Sequence, residues 1–271
     1  MRGTLFVVAT PIGNLEDITL RALRVLGSVA VIAAEDTRRT AHLLARHAIT
    51  TPTTSLHEHN EARKSAALVG RLEAGEDVAL VSDAGSPTIA DPGHRLINLA
   101  IGAGLRVEPI PGPNAAITAL MASGFEASTF LFLGFPPNRG KPRKLWLSRL
   151  AAARGTVVFY EAPHRILSTL RDILEVVGDR PVVLARELTK IHESLVRGPI
   201  TSVIDLVNEK GEFTVVIDIG LLTERESALV GRTAEIEAVS RRGAVASLAR
   251  SLGLSPNDVY SALELVRKSG L

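Results

Sequence analysis

The stretch VALVSDAGSPTIADP, residues 78–92, decides how this chain is read. Val78 to Val81 is a short, wholly apolar β run. It stops at Ser82 and Asp83, and Gly85, Ser86 and Pro87 then supply turn chemistry that does not prolong a strand. A helical pattern resumes from Gly93. A strand that ends in a Gly/Ser/Pro turn ahead of a helix leaves open backbone groups at the carboxyl end of a sheet, where α/β folds hold small ligands.

Two further loops repeat this design. TLFVVA at 4–9 runs into TPIGN at 10–14, and Asp17 offers an N-cap for a helix carrying Leu20, Leu23 and Leu26. LRVEPI at 105–110 runs into PGPN at 111–114, ahead of an Ala-rich helix at 115–123. Neither loop is G-x-G-x-x-G or G-x-x-x-x-G-K, so both familiar phosphate cradles are missing. Proline-stiffened turns can still grip a ligand through backbone amides and carbonyls.

Strand runs fall near 4–9, 29–34, 78–82 and 105–110, then near 129–133, 156–160, 181–185 and 213–219. Helical patterns fall near 19–27, 37–47, 60–74, 93–103, 114–123, 143–153, 163–177 and 200–208. The alternation predicts an α/β fold. A boundary is expected just after the Ala-rich helix, giving lobes at 1–122 and 123–222. From Leu229 no β run follows. The segment 245–260 reads as helix, Gly253 turn, then Ser255 as N-cap with Pro256 at the first helical position. A helix-turn-helix-like module at 223–271, or a simple helical cap, fits that outline.

With 271 residues, 46% of them hydrophobic, the chain can bury a sizeable core. It has no cysteine, which excludes disulfides, a thiol nucleophile and any Cys-based zinc site. No signal-like or membrane-length apolar run is present, so a soluble cytoplasmic protein is expected. The net charge of +2 says little, but its distribution says more. Between 136 and 154 stand Arg139, Lys141, Arg143, Lys144, Arg149 and Arg154, with no acid. That segment opens as PPNRGKPRK, read as a loop before a helix starting near Arg143. It is either a solvated linker or a phosphate contact, and the local excess of positive charge favours the contact. Trp146 on the same segment is a base-stacking candidate or, as a lone Trp, a core anchor.

TPIGN at 10–14, EDTR at 35–38, SDAGSP at 82–87, PGPN at 111–114, YEAPHR at 160–165 and RELTKIHE at 186–193 stand in one order. In that order they resemble the tetrapyrrole-methylase-like (class III) S-adenosylmethionine methyltransferases, most closely a bacterial branch that methylates ribose 2′-oxygens of small-subunit ribosomal RNA. The resemblance spans roughly the whole chain. It implies two α/β lobes with S-adenosylmethionine in the cleft between them, a homodimer, and a C-terminal RNA-docking module. It further implies 2′-O-methylation of a cytidine in the decoding region of 16S rRNA, with the small ribosomal subunit as partner and neither DNA nor membrane.

By the same resemblance the cofactor lies against Pro11, against Ser82, Asp83, Ala84, Gly85, Ser86, Pro87 and Ile89, and against Asn114, Ala115 and Tyr160. Such a cofactor brings an activated methyl group, so the protein must bind, orient and handle a proton. Glu187 and Lys190 are the first candidates for that proton chemistry. Glu193, His192, Asp36, Glu161 and His164 stand behind them. Lys190 is either held partly neutral or serves as a cation for an alkoxide or phosphate. Arg139, Lys141, Arg143 and Lys144 are the expected RNA contacts. His57 and His59 resemble a metal pair, but their spacing suits a strand or loop without a carboxylate triad, and no metal is expected. Two other activities stay open: methylation of a corrin or porphyrin precursor, whose enzymes favour a glycine-richer first loop, and RNA binding without catalysis.

Overall fold

The computed structural model describes residues 2–220 and, beyond them, 249, 255, 257–259 and 261. The chain divides into two compact units, Met1–Gly220 and Leu221–Leu271. The first unit is α/β and holds two five-stranded sheets.

The first sheet is wholly parallel. β1 (Thr4–Val8), β2 (Val31–Ala34), β3 (Thr53–Ser55), β4 (Val78–Val81) and β5 (Arg106–Ile110) lie in the order β3-β2-β4-β1-β5. The helices α1 (Leu20–Ser28), α2 (Thr37–Arg46), α3 (Glu61–Glu73) and α4 (His94–Gly102) connect them. Alternating side chains feed two cores, as parallel strands covered on both faces require. Val8, Ile32, Ala34, Ala79 and Val81 pack with Ala22, Val25, Leu26 and Leu44. Leu5, Val31, Ala33, Val78 and Leu80 pack with Leu68, Leu72, Leu96 and Ala100.

The second sheet is mixed. β6 (Phe130–Phe132), β7 (Thr156–Glu161), β8 (Pro181–Arg186), β9 (Ser194–Pro199) and β10 (Phe213–Asp218) lie in the order β6-β7-β10-β8-β9, with only β6 and β7 parallel. One face packs on α6 (Gly140–Ala151), α7 (Ile166–Val177) and α8 (Ile200–Ile204) through Trp146, Leu150, Leu170, Ile173 and Val203. The other face receives α5 (Ala115–Met121), whose Ala116, Ala119 and Leu120 meet Val158, Val183 and Val216. The Ala-rich helix thus carries the chain from the first sheet and seals the second. Small side chains at 116 and 119 let it lie close to the strands.

In the second unit the Asp258 amide donates to Ser255 Oγ (3.2 Å), and Ser255 Oγ donates to Asp258 Oδ2 (2.7 Å). These are the bonds of an N-cap at Ser255. The rest of the helix-turn-helix outline lies outside the described residues.

Candidate active site

β1 and β4 are neighbours, yet the connection leaving β1 runs toward β2 and that leaving β4 runs toward β5. Such opposed departures open a crevice at the carboxyl ends of the strands. Two of the Pro/Gly loops meet there. Thr10 and Gly85 exchange backbone hydrogen bonds of 2.9 and 3.0 Å, and Thr10 Oγ1 donates to the Ser82 carbonyl (3.1 Å). Gly85 has φ +78°, and a Cβ on it would come within 3.3 Å of Ile12 Cγ2. The left-handed backbone and the bridge to Thr10 both favour glycine.

The third loop joins through Asn114. Its Oδ1 accepts the Ile117 amide (3.2 Å) as the α5 cap, while its Nδ2 donates to Ser86 Oγ (3.3 Å). Tyr160 on β7 closes the ring, its hydroxyl accepting the Ala116 amide (3.3 Å). Burial pushes that phenol above its usual pKa, so it stays neutral. Pro11, Ser82, Asp83, Gly85, Ser86, Pro87, Asn114, Ala115 and Tyr160 therefore share one crevice wall. Ala84 is exposed on the same turn, and Ile89 stands half exposed beyond Thr88, whose φ is +69°.

Carboxylates crowd this wall. The 10–14, 82–87 and 111–114 loops hold no Lys or Arg. Burial, then the charges of Asp91 and Asp83, push Glu35 above the usual carboxylate range. Burial first, and Asp83 after it, do the same to Asp91 against a hydrogen bond from Ser82. Arg39 reaches only to 3.5 Å of Asp83. Asp36 behaves oppositely, because a side-chain hydrogen bond from Arg38 holds it far below that range. Glu35 belongs to the EDTR segment and Asp91 to the 78–92 stretch, far apart in sequence. Only folding brings their charges together.

The facing wall is the 186–193 turn. Lys190 Nζ lies 3.0 Å from Glu187 Oε1 and 2.9 Å from Glu212 Oε2, and Glu187 Oε1 also accepts the Glu212 amide (2.8 Å). Burial alone lowers the Lys190 pKa, but its hydrogen bonds to Glu212 and Glu187 outweigh it and the net shift is upward. Of the two readings of Lys190, held partly neutral or serving as a cation, the two carboxylates favour the cation. For Glu187, burial raises the pKa, yet the Glu212 amide and Lys190 bring it below its usual value.

Glu187 (φ +51°) and Thr189 (φ +67°) both sit in the left-handed region. For a β-branched residue that is strained backbone, of the kind that gathers at functional turns. The strain is held from across the crevice. Asn14 donates its amide to Thr189 Oγ1 (3.0 Å), and a Cβ on Gly13 would lie 2.5 Å from Lys190 Cγ. A pocket of about 40 Å³ joins Ile12 and Ala115 to Glu187, Lys190, Glu212 and Thr214.

The remaining candidates scatter. Glu193 accepts the Thr189 amide (2.6 Å), and His192 and His164 are exposed. Glu161 is buried among Arg165 (2.8 Å), the Ala162 amide (2.7 Å) and Thr169 Oγ1 (2.5 Å). The basic segment is helical sooner than expected, because Pro142 is tolerated in the first turn of α6. Arg139, Lys141 and Lys144 are exposed there. Arg143 instead turns inward to Asp172 Oδ2 (2.6 Å), Thr169 Oγ1 (3.1 Å) and the Pro137 carbonyl (3.1 Å). Trp146 is a core anchor, 4% exposed, donating to the Leu133 carbonyl (3.1 Å) and edge-on to Phe159. The rings of His57 and His59 meet edge to face at 6.0 Å, and Asn60 lies 3.0 Å from His57 Nε2.

Residues 4–204 match the family model of Tetrapyrrole (Corrin/Porphyrin) Methylases, and the chain belongs to that family. Among its relatives is the ribosomal RNA small subunit methyltransferase I of Vibrio cholerae. The two are 45% identical over 266 residues, covering 94% of this chain and 92% of the relative. The protein of the same name from Halalkalibacterium halodurans is 47% identical over 220 residues, covering 80% and 76%. Among solved structures, a cobalt precorrin-4 methyltransferase superposes with a TM-score of 0.62 at 17% identity, covering 79% of this chain and 94% of that one. This likeness is one of fold. No described helix is long and apolar enough to cross a membrane.

Proposed function

We propose that this protein transfers a methyl group from S-adenosylmethionine to the ribose O2′ of a cytidine in 16S rRNA, acting on the small ribosomal subunit in the cytoplasm as a homodimer. The observation that carries the reading is the 45% identity to the Vibrio cholerae relative, which extends through the C-terminal unit. The lobes 1–122 and 123–222 and the module 223–271 are the working division, with the module as an RNA-docking element.

The crevice suits the cofactor chemically. Three loops without a cation, beside Glu35, Asp83 and Asp91, suit a ligand bearing sulfonium and ammonium charges and repel phosphate. Pro11, Ser82, Asp83, Ala84, Gly85, Ser86, Pro87, Ile89, Asn114, Ala115 and Tyr160 would hold it. When bound, it supplies an electrophilic methyl group. The chain's own task is to present the hydroxyl oxygen in line and to manage its proton. We assign Lys190 the cation that steadies the developing oxyanion, and Glu187 the carboxylate that aims it and takes up the hydroxyl proton as the oxygen–methyl bond forms and the sulfur–methyl bond breaks. Arg139, Lys141 and Lys144 would hold RNA phosphates, while Arg143 is committed to Asp172.

The alternative, a corrin or porphyrin substrate, draws on fold-level likeness at low identity. The deciding experiment incubates labelled S-adenosylmethionine with small subunits lacking the modification and, in parallel, with a porphyrin precursor, and maps where the label goes. Label on a cytidine ribose is expected. Label only on a porphyrin precursor overturns the reading.

A further inference from the structure

Phe135 stands 54% exposed at the lip of the crevice, immediately before the basic segment. Its ring lies 5.3 Å from that of Tyr160, whose hydroxyl accepts the Ala116 amide. It therefore borders the wall that includes Ala115 and Asn114. An exposed aromatic on a mobile loop would mean little, but this loop is fixed.

Arg165 donates to the Pro136 carbonyl and to Asn138 Oδ1, and Arg143 donates to the Pro137 carbonyl (3.1 Å). Both arginines are themselves anchored, Arg165 on buried Glu161 and Arg143 on Asp172. Pro136 and Pro137 stiffen the backbone between them. The YEAPHR motif thus holds the 135–139 turn in shape. The turn in turn presents an aromatic face, and the exposed cations Arg139 and Lys141 follow it within six residues of sequence.

A rigid, solvent-facing ring beside phosphate-binding cations is the arrangement that holds unpaired bases. We infer that Phe135 is a stacking platform for an unpaired pyrimidine base, next to the ribose that enters the crevice. The inference rests on the ribosomal RNA reading and adds a base-binding position to it. Phe135 takes no part in proton transfer; it fixes where the nucleotide lies.

Trp146 is the chain's only tryptophan and is buried, so Phe135→Trp adds an exposed reporter. An oligocytidine of about ten nucleotides should quench that reporter, and an abasic ribose-phosphate oligomer of equal length should not. Phe135→Ala should weaken oligocytidine binding roughly 5- to 100-fold and raise the KM for small subunits similarly, with S-adenosylmethionine affinity unchanged. Phe135→Leu keeps the apolar bulk without the ring and should weaken binding like alanine. If the leucine variant binds oligocytidine as tightly as the parent, or the abasic oligomer quenches equally, the platform is wrong. A parent protein that methylates no subunit refutes the RNA reading separately, and the quenching comparison still decides the platform.

Discussion

The two walls of the crevice handle charge in opposite ways. The first-lobe wall leaves carboxylates short of partners: Glu35 is raised by burial and then by Asp91 and Asp83, Asp91 by burial and then by Asp83, and Arg39 barely reaches Asp83. The second-lobe wall compensates its charges. Lys190 sits between Glu187 and Glu212, and the body of the same lobe behind that wall is compensated too, with Glu161 facing Arg165 and Asp172 facing Arg143. Uncompensated carboxylates cost stability and are worth keeping where a cation arrives as ligand. Compensated pairs cost flexibility and suit parts that must hold still. On the proposed function, the first wall receives and the second positions.

The comparison breaks most visibly at Glu161. Removing that carboxylate in Glu161→Ala leaves the partly buried Arg165 unpaired and releases the 135–139 turn. A loss of about 3–5 kcal/mol in chemical denaturation is expected. A loss below about 1 kcal/mol would mean that the second wall is not held by its pairs. Next in size is catalysis. Lys190→Ala should lower the transfer rate roughly 100-fold with cofactor affinity nearly unchanged, and Glu187→Ala should follow it, because it removes one of the two carboxylates that aim the same ammonium. Full activity in both variants would move the proton chemistry to Asp36, Glu161 or His164.

A third test concerns RNA. Neutralising Arg139, Lys141 and Lys144 together should flatten the salt dependence of RNA affinity by about two units of log–log slope. Adding Arg143→Gln should chiefly destabilise the fold, since that side chain bonds to Asp172 and not to solvent. The smallest effect is on stability. An acid whose folded pKa is raised binds its proton more tightly in the native state, so stability falls as pH rises from the unfolded value through the folded one. Asp91→Asn should therefore raise the melting temperature near neutral pH. The gain should vanish below the usual value of 3.8. An unchanged midpoint at pH 7 would show that the first wall bears no electrostatic cost.

Much of this was legible in the sequence where signals are local. The apolar runs that became β1, β2, β4 and β5 are short, bounded and β-branched, and the loops after them carry their own punctuation. β3 and β9 escaped for want of such signals. Thr53–Ser55 has no apolar residue, and Ser194–Pro199 is a brief run that gains strand character only by pairing with β8. The mixed order of the second sheet depends on long-range pairing that no window of sequence contains. The site divides the same way. The motifs named its members, but the inward turn of Arg143, the clamp on Lys190 and the meeting of Glu35 with Asp91 are products of folding. The strain at Thr189 is equally invisible beforehand, because it depends on Asn14 from the opposite lobe.

The most direct test of the receiving wall is S-adenosylmethionine affinity measured by calorimetry as the pH is raised from the ordinary carboxylate range to neutrality, in buffers of different ionisation enthalpy. A permanent positive charge beside Glu35 and Asp91 should draw their raised pKa values down. Affinity should then rise with pH across that window, with protons released on binding, and both effects should shrink in Asp91→Asn. Affinity that is flat with pH and releases no protons would contradict the account.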